Sequence, residues 1–259
     1  MLKKVLVVSL GALCLPFLLA GSAWSATLVT ENWDSYAADP NSNNPGDYDP
    51  GAPWVTNEPA EKRVQVVNTS TIPEYAAHQV RSGNSLFTQG FGAWVTALHP
   101  VTTTEPILVM DAWIHPYHND GRTGLNAYAG VEAVALFLVG GHLENYINGW
   151  FTIPDSQGLA TAGSWHHLVV TIDRTMARTG GGLGMYKVEI DNTPLDNGGA
   201  WFPTSNNLEG QVFTQVGVSQ SPEWYGWTDD FSASAIPEPA SAALLLLLLP
   251  AIVRRKAKK

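Results

Sequence analysis

The sequence predicts an all-β protein built as one antiparallel β-sandwich, and three observations carry that prediction. Between Thr27 and Ile236 no long stretch holds a helical period of apolar residues, whereas several hold a period of two. The apolar stretches are separated by turn clusters rich in Gly, Asn and Asp: HNDGRTG, RTGGGLG, DNTPLDNGG and TSNNLEG. Strand and helix patterns do not alternate, which argues against a βαβ architecture with a parallel sheet.

The chain opens with a segment that is not part of that sandwich. Lys3 and Lys4 precede the apolar run Val5 to Ala20, and small residues follow at Gly21, Ser22, Ala23, Ser25 and Ala26. A basic start, an apolar centre and small residues at the cut describe a secretory signal helix over residues 1–25, the substrate of a signal peptidase. The one cysteine, Cys14, lies inside it, so the rest of the chain has no disulfide, thiolate nucleophile or cysteine metal site. The sandwich domain then covers 26–236, with no internal repeat. Asp39 to Pro59, rich in Pro, Asn, Asp and Gly, reads as a long surface loop. Ile107 to His115 and Val131 to Val139 are apolar on both faces, as central strands of a packed sandwich are. In HHLVVTID, His166, Leu168, Val170 and Ile172 share one face; in MYKVEID, Tyr186, Val188 and Ile190 do. Gln211 to Ser219 forms a further strand, and Trp113 and Trp165 read as core residues.

The chain closes on PEPASAALLLLLLPAIVRRKAKK, residues 237–259. The apolar run 240–253 reaches about 21 Å as a helix, short of the ~30 Å hydrocarbon core, and inserts only with help from its flanks. The basic cluster Arg254, Arg255, Lys256, Lys258 and Lys259 stops it on the cytoplasmic side. Of the 14 Lys and Arg residues, seven lie in the two ends, which leaves seven against 22 Asp and Glu between them, a net charge near −15. Such a body repels phosphate backbones and anionic lipid, so nucleic acid is excluded as a partner. Cations, neutral glycans and other proteins are not.

Two resemblances attach to these residues. Pro237-Glu238-Pro239, an apolar helix and a basic tip together resemble the PEP-CTERM sorting signal. That resemblance implies an exosortase as processing partner, a precursor held transiently in the inner membrane of a Gram-negative bacterium, and release to the cell surface or the extracellular polysaccharide matrix. The body is similar to concanavalin A-like, laminin-G-like jelly rolls through GSWHHLVVTID, YKVEIDNTPLDN, the closing GWTDDFSAS and the opening ENWDSY. This implies pairing of the first and last strands. Asp191-Asn192 stands where such folds carry Asp-Gly, and Asn tolerates the same left-handed turn.

Candidate sites follow from the same residues. Jelly-roll glycosidases of the laminarinase type carry E-x-D-x-x-E; here Glu189 and Asp191 are present but the third acid is replaced by Pro194, so the paired carboxylates of retaining hydrolysis are incomplete. His166 and His167 point to opposite faces of a strand and cannot share one metal. His115 and His118 flank Pro116-Tyr117 on a turn and are read as structural or surface residues. No G-x-S-x-G, P-loop or dinucleotide fingerprint occurs. The jelly-roll resemblance brings Glu31, Asp34, Asp229 and Asp230 together where first and last strands meet, which offers oxygen ligands for a structural calcium ion. Trp201, Trp224, Tyr225 and Trp227 follow loops rich in Gly, Pro and Asn, where flat rings stack on the apolar faces of sugars. The expectation is an exported, non-catalytic surface or matrix protein with glycan or protein contacts; the alternative is a polysaccharide hydrolase or lyase on the same fold.

Overall fold

The computed structural model describes residues 25–37, 50–57, 63–68, 81, 83–90, 92–195 and 201–237. The signal segment, Glu238, Pro239 and the tail beyond them lie outside the described residues. In chain order the strands are β1 (Ala26–Glu31), β2 (Val55–Thr56), β3 (Arg63–Asn68), β4 (Asn84–Gln89), β5 (Val95–Thr103), β6 (Ile107–Pro116), β7 (Thr123–Ala129) and β8 (Val131–Val139). Then come β9 (His142–Tyr146), β10 (Trp150–Thr152), β11 (His166–Ala177), β12 (Leu183–Ile190), β13 (Thr193–Leu195), β14 (Phe202–Pro203), β15 (Phe213–Gln220) and β16 (Tyr225–Ile236). Among the described residues there is no helix, and none long and apolar enough to cross a membrane.

These strands form two sheets whose ladders are all antiparallel. The first runs β13-β12-β11-β6-β16-β4-β3, with β1 paired to β16 and β14 to β12; the second runs β10-β9-β8-β7-β15-β5-β2. The expected antiparallel sandwich is therefore what the chain forms, and its first and last strands do pair, Ala26 with Ala235 through Glu31 with Phe231. The core lies between the sheets. Leu108, Met110 and Ile114 of β6, Leu168, Val170 and Ile172 of β11, and Tyr186, Val188 and Ile190 of β12 come from the first sheet. Leu125 and Ala127 of β7, Leu136 and Leu138 of β8, and Val216 and Val218 of β15 come from the second. The period-two faces read from HHLVVTID and MYKVEID are the core faces. Each large side chain buried there contributes roughly 1.5–3 kcal/mol, which is what sets the register.

Several elements depart from the sequence reading. The stretch Asp39 to Pro59 contains, in its described part, the edge strand β2 and the buried Trp54, which packs on Trp33 and Phe231. Trp113 and Trp165 are only half-buried and lie off the core, because they sit on the outer face of the first sheet and beside it. The β12–β13 turn at Asp191-Asn192 has both residues at positive φ, 50° and 63°, the two-residue geometry that Asn and Asp accommodate. Asp191 is committed to that corner: Oδ2 lies 2.8 Å from His166 Nδ1, and Oδ1 accepts the His167 backbone N–H at 2.8 Å.

Candidate functional site

The outer face of the second sheet carries a groove of about 400 Å³. Its floor follows from register. Thr152, Glu144, Phe137, Gly124, Ser219 and Thr96 lie side by side across β10, β9, β8, β7, β15 and β5, and of these Phe137, Ser219 and Thr96 line the groove. The next row holds Ala135, Asn126, Gly217 and Leu98. Small residues in the middle of both rows keep the floor low. Gly124 and Gly217 are required there, because a side chain at either would run into the carbonyls of Leu136 and Ala97.

A third row places Glu132 beside Tyr128 and Gln215. Strict alternation would send Glu132 into the core with Val134, Leu136 and Leu138. A bulge in the β7–β8 ladder prevents this: Ala127 pairs with Val134, but Tyr128 pairs with Glu132. Ala133 and Val134 both enter the core, and Glu132 turns out to the groove. The carbonyl freed at Ala133 accepts the Ser205 N–H at 2.8 Å, and Asn206 Nδ2 donates to the Glu132 carbonyl at 2.9 Å, so the 204–208 loop fixes the bulge.

The walls are aromatic. Trp94, Phe137, Tyr146 and Trp150 line one end. Trp94 and Trp150 stack at 5.7 Å with 26° between their planes, and Phe137 and Tyr146 meet Trp150 edge-on at 5.7 and 5.2 Å. Trp150 is 42% and Tyr146 43% exposed, high values for such large rings. Behind them Arg122 lies over Trp150 at 4.1 Å and donates through Nε to Glu144 Oε2 at 2.8 Å. His142 Nε2 sits 3.1 Å from the other oxygen, Oε1. Both oxygens of Glu144 are therefore engaged.

The floor is polar and incompletely satisfied. Asn126 and Ser219 are 4% and 2% exposed, and Asn126 Oδ1 and Ser219 Oγ have no hydrogen-bond partner among the described residues. A buried acceptor or hydroxyl left unpaired costs about 1–3 kcal/mol, and both belong to side chains that line the groove. Burial pushes the Glu132 carboxyl up from its ordinary range, opposed by a hydrogen bond from Ser205. Burial, and then the Glu132 charge, push the Tyr128 phenol up as well.

None of the aromatic residues expected from the loops lines this groove. Trp227 is 1% exposed, sealed against Phe87, His115 and Tyr117, so it is no ligand contact. Tyr225 stacks on Tyr117 at 4.2 Å and Trp224 on His118 at 4.2 Å, and Lys187 Nζ lies 5.8 Å from the Trp201 ring. The four expected calcium ligands come together only in part. Arg81 Nη2 pairs with Asp230 at 2.6 Å, and Arg81 Nε lies 3.7 Å from Asp229. Glu31 instead accepts the Trp33 N–H and the Tyr36 hydroxyl, and Asp34 accepts the Asn84 N–H. A guanidinium thus stands among the carboxylates, and no group of three metal-ligating side chains suited to an ion occurs among the described residues. The signal that would have found the real groove is weak in sequence: Trp94, Phe137, Tyr146 and Trp150 meet only through pairing across four strands.

No family model matches the chain, and no curated protein matches it. Solved structures do. A sialidase aligns at 10% identity and a TM-score of 0.49 over 70% of this chain, which spans only 17% of the sialidase. An alginate lyase from Chlorella virus aligns at 6% identity and 0.47, covering 70% of this chain and 93% of that one. A Bacillus subtilis protein with a galectin-like fold aligns at 14% identity and 0.43, covering 82% and 98%.

Proposed function

We propose that this is a non-catalytic glycan-binding sandwich whose ligand lies in the groove of the second sheet. One observation carries the reading: exposed aromatic rings and uncharged polar side chains, Asn126 and Ser219, line the same groove. A sugar ring needs both, an aromatic surface for its C–H face and fixed polar groups for its hydroxyls. The catalytic alternative is less well supported. Among the described residues Glu132 is the single carboxylate lining the groove, and retaining or inverting hydrolysis uses two. Tyr128, the other ionisable group on the floor, is pushed away from the neutral range in which a proton-abstracting base works. Binding is tested by affinity electrophoresis of the sandwich through immobilised polysaccharides, comparing wild type with Trp150→Ala. Retardation of the wild type and its loss in the variant are expected; equal migration of the two in every gel overturns the reading.

We further propose that the chain reaches its ligand outside the cell. The signal at 1–25 would export it, the tail 240–253 with Arg254, Arg255, Lys256, Lys258 and Lys259 would hold it in the inner membrane, and an exosortase would cut near Pro237-Glu238-Pro239 to free it to the surface or matrix. Intact mass of protein recovered from its host should end near Pro237, and alanine at all three triplet positions should preserve Lys259. Retention of Lys259 in both forms overturns the processing step.

A further inference from the structure

Resting on the glycan-binding reading, the geometry points to an uncharged polysaccharide as the groove's ligand, with polyuronates and sulfated chains rejected. The argument is one of charge. A uronate ring brings a carboxylate with every sugar, and a carboxylate entering a half-buried groove needs a free cation or several N–H donors. Among the described residues Arg122 is the cation packed on the aromatic wall, and its charge is already paired. Its Nε–H is given to Glu144, and its guanidinium carbon lies over the Trp150 ring. His142, the other basic side chain at that wall, faces the second oxygen of the same carboxylate. Among the described residues the single charged group on the groove's lining is the acidic Glu132, and the body around it is strongly acidic. The floor side chains Asn126 and Ser219 carry no charge, so they suit sugar hydroxyls and supply nothing that would neutralise a sugar carboxylate.

The carboxylate of Glu144 is thus a selectivity element: it neutralises the guanidinium that a polyuronate would otherwise recruit. The test is binding of the wild-type sandwich to two ligand sets at matched chain length and low salt. One holds uncharged hexose and pentose polysaccharides; the other holds alginate, polygalacturonate and a sulfated galactan. Binding to a member of the uncharged set, about tenfold or more tighter than to any charged chain, is expected. Glu144→Gln should leave the Arg122 charge unpaired and raise polyuronate affinity about tenfold, steeply reduced by added salt. Should that variant fail to fold by circular dichroism, Glu132→Gln, which removes the lining charge, should raise it in the same direction. Binding of the wild type to charged chains alone, lost in Trp150→Ala, overturns the uncharged-ligand inference while leaving the groove a glycan site. Binding to neither set overturns both.

Discussion

The two outer faces of the sandwich are both rich in aromatic side chains, yet only one is open. On the first sheet Phe87, Trp227 and His115 are each about 1% exposed, covered by Tyr117, Trp165 and Tyr225. On the second, Tyr146 and Trp150 remain more than two-fifths exposed above a floor of Gly, Ala and Ser. The difference shows what marks a site. Aromatic content does not separate the faces; small residues in the centre of a sheet do.

Breaking the closed face should cost the most. Trp227→Ala removes a fully buried indole and should destabilise the fold by about 3–5 kcal/mol in denaturant unfolding, with the folded fraction still binding the same glycan. A loss below about 1 kcal/mol would mean that the cluster is not packed as described.

The same face holds the molecule's clearest pH dependence. Asp229 is 1% exposed beside Trp113, and burial pushes its carboxyl up to about 7, with the Asp230 and Asp34 charges adding to the rise and the Asp230 N–H and Arg81 opposing it. In the unfolded chain it titrates near 3.9. Between those values the folded form keeps a proton that the unfolded form has released, so the contribution to stability is complete below about pH 4 and falls as pH rises through 7. The fall should be on the order of 2–4 kcal/mol, and Asp229→Asn should flatten it. Melting curves at pH 5 and 8 for both proteins decide the matter; an equal slope in the two assigns the dependence elsewhere.

Legibility in the sequence followed the same division. The core faces of β11 and β12 were readable because alternation is unbroken from Leu168 to Ile172 and from Tyr186 to Ile190. The β1–β16 pairing was readable through the jelly-roll resemblance. The groove was not, for two physical reasons. Its walls are assembled from Phe137, Tyr146 and Trp150 of β8, β9 and β10 and from Trp94, which precedes β5 further across the sheet, and these meet only once registers are fixed. Its acid, Glu132, faces outward because of a bulge, and a bulge inverts the period that a sequence reading depends on. A second bulge breaks the period of the closing strand: β16 slips between Asp229 and Ser232, with Asp230 at φ 47°, so Trp227 faces outward while Phe231 faces the core.

On the open face the balance between stability and binding should reverse. Trp150→Ala exposes little new core and gives up the Arg122 contact, a stability change of about 0.5–1 kcal/mol. Its glycan affinity should fall about tenfold or more, as truncating a central aromatic anchor does. Equilibrium unfolding and titration calorimetry on one preparation measure both, and a large stability loss with unchanged affinity would move Trp150 from the ligand's wall to the fold's support.

Trp224 sharpens the boundary between the two faces and carries the smallest expected effect. It follows β15 on the loop that leads into β16, where the Ser221 N–H donates to the Arg122 carbonyl and the Ser221 hydroxyl accepts the Arg122 N–H. The indole stacks on His118 with 16° between the rings and lies against Gly121, so that a side chain at 121 would meet it. Those contacts tie the loop to the start of β7 without reaching the groove lining. Trp224→Ala should therefore cost about 0.5–1.5 kcal/mol of stability, the worth of one aromatic pair, and leave glycan affinity within about twofold. A tenfold loss of affinity would show instead that the ligand runs past Arg122 onto this loop, and would extend the open face around the end of the sandwich.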